Sequence, residues 1–261
     1  MRVSAVGVDR GSDRPVYKQV ADALRAAIRG GELADGAALA SETELMERYG
    51  VSRNSVRNAV ALLRVEGLVV TEHGRGTFVR GRRPLRRLSS SRYSRAKRAA
   101  RRSPLQAEAA EQGAESGQQL LGVEVVDAPQ EVADRLGLEP EERALVRSYL
   151  LSFGGEPVQL ADSYFPLDIA QGTPIERPER IHGGVHAELE QALGYELDRF
   201  VEELSFRMPT PEEARQLRLG AGVPVVRLLR TLYDTAGRAL EVSDFVLAGD
   251  RHVLVYEVSA G

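Results

Sequence analysis

Residues 41–66, SETELMERYGVSRNSVRNAVALLRVE, place two short amphipathic segments on either side of a single glycine turn. Ser41 stands before the first segment with Glu44 three residues on, the spacing of a capping box. Ser52 stands before the second, and Gly50 separates them. Val56, Val60 and Leu63 recur at helical spacing and predict an inner stripe, so the third helix is expected over about Arg53 to Glu66. Arg53, Asn54 and Arg57 then fall on its opposite side. Few folds use a short helix, a tight turn and a second helix whose first turn is so rich in donors.

The flanking sequence completes a compact unit. PVYKQVADALRAAIRGGEL carries Val16, Val20, Leu24, Ala27 and Ile28 at helical spacing and stops at Gly30-Gly31. LVVTEHGRGTFVR alternates on either side of HGRG, a small hairpin with a glycine-rich tip. Three helices and a hairpin form a helix-turn-helix with a wing, and such a unit lays its second helix in the major groove of DNA. There an Arg can donate to guanine and an Asn can pair with adenine, while Arg57, one turn on, faces the sugar–phosphate backbone. The alternative for this face is an ordinary solvated one.

Charge distribution favours the nucleic acid. Residues 1–105 hold 22 Lys+Arg against 10 Asp+Glu, and the remaining residues hold 13 against 28, although the net charge is only −3. A coding bias explains arginine in place of lysine, since Lys18 and Lys97 are the only lysines, but not the gathering of arginines at one end. Residues 80–102 carry 11 basic side chains and no acidic one, which predicts an Arg-rich linker, solvated or following phosphates. No run of about 18 apolar residues predicts a membrane span. The first residues lack an export signal, and there is no cysteine. A cytoplasmic protein without membrane, metal or cofactor is expected.

From about residue 120 the pattern changes to strands. A helix-plus-hairpin pattern over residues 129–165 returns near 211–247, with Arg147 aligning roughly to Arg227. The repeat predicts an antiparallel sheet with helices on one face. The fold class expected is α+β, with domains at 12–80 (winged helix-turn-helix), 81–119 (linker) and 120–261 (effector binding and dimerisation).

The motifs PVYKQVADALRAAIRGGEL, LASETELMERYGVSRNSVRNAVALLRVEGLV and HGRGTFV resemble the GntR family of bacterial transcription regulators. That resemblance places Thr43, Ser52, Arg53, Asn54, Ser55 and Arg57 on DNA-contacting positions, with His73, Gly74 and Arg75 in the wing. EPVQLADSYFP, LEQALG and GRALEVSDFVLAGDR resemble the HutC-type branch, whose UTRA effector domain is chorismate-lyase-like in fold. Residues 106–261 contain no lysine for a pyridoxal-phosphate Schiff base, so the aminotransferase-like branch is excluded. The resemblance implies effector contacts at Arg147, Tyr149, Ser163, Tyr164, Glu241 and Ser243, with His186 beside them. For Arg147 and Glu241 the alternative is a strand ion pair, and for His186 a half-buried helix histidine. Relatives that bind sugar phosphates have Arg where Tyr149 stands, Ser at Gly184, Tyr at His186 and Arg at Ala248, so a neutral or singly anionic effector is expected.

The implied function is a ligand-responsive DNA-binding regulator, a repressor bound as a homodimer to a palindromic double-stranded operator. The alternatives are a C-terminal domain that only dimerises and an enzyme of chorismate-lyase-like fold. No GxSxG, HExxH or phosphate loop supports the enzyme.

Overall fold

A computed structural model describes residues 8–72, 75–79, 84–88, 92, 103–181 and 183–258. The chain divides into two compact units, Met1–Arg83 with Leu219–Val223, and Pro84–Arg218 with Pro224–Gly261.

In the first unit, α1 (Val16–Arg29), α2 (Glu42–Tyr49) and α3 (Arg53–Val65) precede a hairpin of β1 (Val69–Glu72) and β2 (Gly76–Val79). Both serine caps form. Ser41 N–H donates to Glu44 Oε2 at 2.8 Å, and Glu44 N–H returns to Ser41 Oγ at 3.3 Å. Ser55 N–H donates to Ser52 Oγ at 3.2 Å. Gly50 ends α2 in the left-handed region at φ 62°, where a side chain would be strained. Val20, Leu24, Leu45, Val56, Ala59 and Leu63 then meet in one core. Burial of these stripes, more than helix propensity, holds helices this short.

The second unit is built on a six-stranded antiparallel sheet in the order β4-β5-β6-β9-β8-β7. Its strands are β4 (Ser116–Val126), β5 (Ala144–Phe153), β6 (Glu156–Pro166), β7 (Leu197–Arg207), β8 (Val225–Asp234) and β9 (Ala239–Ala248). Helix α5 (Gln130–Leu136) follows β4, and α8 (Pro211–Gln216) follows β7. The repeat is therefore strand, helix, hairpin, one strand longer than the sequence showed, and its halves join at β6 and β9.

Two expectations change. Helices cover both faces, because α5 packs on Ala144, Leu229 and Val242 while α6 (Leu167–Ala170) packs on Leu145, Phe165 and Leu232. Strands covered on both faces lose the buried–exposed alternation, and β8 and β9 are buried along nearly their whole length. Residues assigned to the linker are partly built into the second unit. β3 (Leu85–Leu88) pairs in parallel with β10 (His252–Val255), and α4 (Pro104–Glu111) is closed by a capping box between Ser103 and Gln106. No helix among the described residues is long and apolar enough to cross a membrane.

Candidate functional site

In the first unit the outward side of α3 is open. Arg53 and Arg57 keep 59% and 63% of their side-chain surface, and Thr43 and Asn54 are exposed. Ser52 and Ser55 face each other, Oγ to Oγ, at 3.0 Å. One carboxylate that the sequence reading missed organises the arginines. Arg57 Nε donates to Glu42 Oε1 at 2.9 Å, and Arg53 Nε lies 3.7 Å from Glu42 Oε2. The acid of α2 thus aligns the two cations of α3. Arg75 is exposed at the wing, its guanidinium 5.8 Å from the Phe78 ring centre. His73 and Gly74 lie outside the described residues.

In the second unit a cavity of about 290 Å³ opens on one face of the sheet. Antiparallel register puts Arg147, Ser163, Ser243 and Arg230 in one row across β5, β6, β9 and β8, with Glu202 of β7 beyond. Side chains one residue apart on a strand point to opposite faces. Tyr149, Ser163, Glu241 and Arg230 line the cavity, whereas Tyr164 packs among Val132, Leu136 and Val242 against α5. Burial, then Asp162 and Asp244, pushes the Tyr164 phenol up to about 12. Ser163 and Tyr164 cannot serve one pocket together, and Tyr164 is corrected to the opposite face.

The cavity floor is an ionic cluster. Glu241, 3% exposed, accepts from Ser243 Oγ at 2.7 Å and meets His186 Nε2 at 2.9 Å. Arg230 Nη2 lies 3.5 Å from both its oxygens and donates to Ser243 Oγ at 3.1 Å. Burial opposes ionisation of Glu241, but Arg230 and His186 overcome it and hold the carboxyl far below the usual range. Ser163 Oγ lies 3.0 Å from Ser243 Oγ, so the hydroxyls bridge the two halves of the repeat. Ser243 acts from beneath and does not line the cavity.

Arg147 has a different place from the one expected. It is fully buried and does not line the cavity. Its Nη1 donates to Ile175 O at 2.6 Å and Arg177 O at 2.7 Å, and its Nη2 to Glu179 O at 2.7 Å. Its Nε donates to Tyr149 Oη at 2.8 Å. Arg147 is neither paired with Glu241 nor presented to a ligand; it clamps the segment after α6. Arg230 is the cation that meets Glu241, and by strand pairing it, not Arg227, is the counterpart of Arg147. Arg227 projects from the other face to Asp244 and Glu131, each at 2.7 Å. An offset of three residues is odd, so aligning Arg147 with Arg227 put the partner on the wrong face. The signal available in sequence was Arg230 itself, an arginine enclosed by LL and TL.

Segments before β4 roof the cavity. Ser103, Leu105 and Gln106 line it together with Arg92, which is buried against Glu108. His186 comes from α7 (Val185–Ala187), which runs into a π-helical turn at Glu188–Ala192. The enclosure suits a compact polar molecule: acceptor at Glu241, amides at Gln118 and Gln159, and apolar walls at Leu120, Leu151 and Phe245.

Comparison with known proteins divides the chain in a related way. Residues 16–79 match the bacterial regulatory proteins, gntR family, and residues 111–253 match the UTRA domain. An uncharacterized HTH-type transcriptional regulator of Streptomyces coelicolor is 33% identical over 249 residues, covering 93% of this chain and 92% of that protein. The HTH-type transcriptional repressor NagR of Bacillus subtilis is 29% identical over 255 residues, 96% and 98% of the two chains. Among solved structures, a GntR-family transcriptional regulator superposes with TM-score 0.60 at 31% identity, covering 95% of this chain and 99% of its own.

Proposed function

Because the chain belongs to the gntR family of bacterial regulatory proteins and carries a UTRA domain, we propose that it represses transcription as a homodimer on a palindromic operator until a small molecule fills its cavity. It is a DNA-binding transcription regulator and not an enzyme. The observation that carries the reading is one chain with both an exposed, capped Arg/Asn helix end and, in a separate unit, a cavity with a buried ionic floor. Backbone N–H groups at the start of α3 favour a phosphate, and Arg53 and Asn54 stand where base edges would lie. Thr43, Ser52, Ser55, Arg57 and Arg75, with His73 and Gly74 of the wing, complete the proposed DNA contacts. Tyr149, Ser163, His186 and Glu241 contact the effector, with Ser243 supporting the floor. Repression is supported by NagR, itself a repressor, and an effector that favours one arrangement of the protein shifts DNA affinity by its differential binding.

Selection of bound duplexes from a random pool, followed by footprinting, tests the reading. A two-fold-symmetric protected site is expected. No enrichment over the input pool rejects DNA binding, and a single unrepeated half-site rejects the palindrome.

A further inference from the structure

The charges around the cavity do not cancel, and the residue left over points to a ligand class. Three arginines line it among the described residues: Arg92, Arg180 and Arg230. Arg92 is paired with the buried Glu108, and Arg230 with the buried Glu241. Arg180 stands exposed and makes no hydrogen bond or ion pair with any described residue. Its backbone is nevertheless fixed. Arg147 holds the carbonyls of Arg177 and Glu179 just before it, and Gly184 N–H donates to Ile181 O just after it at 3.0 Å. A buried guanidinium has been committed to placing the segment that carries Arg180, so ordering Arg180 on a ligand costs mainly side-chain freedom.

We propose that Arg180 selects the effector by its single negative charge, and that the ligand class is a compact polyhydroxylated monocarboxylate. The inference rests on the proposed effector role of this cavity. One unmatched guanidinium balances one carboxylate, in a bidentate geometry that neither a neutral molecule nor an ammonium can use. A phosphate ester near neutral pH carries up to two charges and would leave the second unmatched, because Arg92 and Arg230 already face carboxylates. On the cavity floor Glu241, held ionised beside Arg230 and His186, can only accept, so a ligand hydroxyl suits it and a second anionic group does not. The amides of Gln118 and Gln159 serve further hydroxyls, and the volume suits a molecule smaller than drug size. Arg147, where resemblance placed an effector contact, is already used inside the protein.

The test uses the full chain and three matched probe series of about four to six carbons: aldonates, the corresponding alditols, and the corresponding sugar phosphates. Thermal midpoints at millimolar probe, against equal sodium chloride, report binding by linkage. At least one aldonate should raise the midpoint more than its alditol and its phosphate. Arg180→Gln should weaken that aldonate about tenfold or more, with partial recovery in Arg180→Lys. A sugar phosphate or alditol that binds more tightly than every aldonate overturns the proposal. So does the absence of any aldonate shift, or an Arg180→Gln protein that binds the aldonate as wild type does. Duplex selection on the wild type is read separately. Loss of DNA binding with aldonate binding intact counts against the regulator reading alone, and the reverse result counts against Arg180 alone.

Discussion

At the scale of single residues, arginines with similar exposure or burial do unlike things, and what they touch separates them. Arg53 and Arg57 share Glu42 on the open side of α2 and α3. In the proposed docking on DNA, Arg53 at the helix start is expected to reach base edges and Arg57 the backbone. Arg53→Ala should cost ~1–3 kcal/mol of specific affinity and relax preference at one base pair. Arg57→Ala should weaken binding to all duplexes and flatten the salt dependence. Titrations of selected and scrambled duplexes at several salt concentrations check both, and unchanged base preference in Arg53→Ala would reject this docking. Arg147 belongs to the interior. Arg147→Met keeps the bulk but strands three carbonyls, each costing ~1–3 kcal/mol if left dry, so a loss of about 3 kcal/mol is expected. Denaturant unfolding measures it. A stable Arg147→Met protein that has merely lost its effector would return Arg147 to the pocket.

At the scale of elements, the short parallel pair β3–β10 ties the connector into the second unit through buried charge. Arg87 of β3 donates to Glu202 at 2.9 Å and lies 5.5 Å from the Phe245 ring centre, beside the cavity. Arg251, just before β10, donates to the carbonyl of Arg218 at 2.9 Å and to those of Pro157 and Leu217. His252 therefore sits among cations. Burial first, then Arg87, Arg92 and Arg251, lowers its pKa to about 3, against the hydrogen bond between Nδ1 and Ala248 O at 3.0 Å. The folded protein refuses a proton that the unfolded chain accepts below about 6.5. Stability should therefore fall as pH drops from about 6.5 towards 3, because the unfolded state then binds more protons. His252→Gln removes this contribution, so the wild-type advantage near neutral pH should shrink at about pH 5. Parallel unfolding midpoints for the two proteins across that range would show that His252 titrates normally.

At the scale of the molecule, one helix-turn-helix per chain reads too few base pairs to choose an operator, and a two-fold pair doubles the site. Sedimentation on the selected duplex should show two chains per DNA. A single chain per site would remove the homodimer from the proposal.

The sequence by itself determined the elements whose information is local. The caps at Ser41 and Ser52, the turn at Gly50 and the stripe through Val56 and Leu63 were legible because each depends on residues within a turn or two. The repeat of helix and hairpin was legible in outline for the same reason. Only the tertiary structure decided which side chains share a face. That choice rests on strand register, and register between β5, β6, β9 and β8 is set by bulges near Leu151 and Leu232 and by long-range packing. Alternation alone separates Ser163 from Tyr164, but register decided that Ser163 faces the cavity and that Arg230, not Arg227, is the counterpart of Arg147. The connector was hidden for a related reason. An arginine-rich run reads as solvated, and nothing local shows that Glu202 and Glu108, remote in sequence from Arg87 or across an intervening stretch from Arg92, bury those two charges.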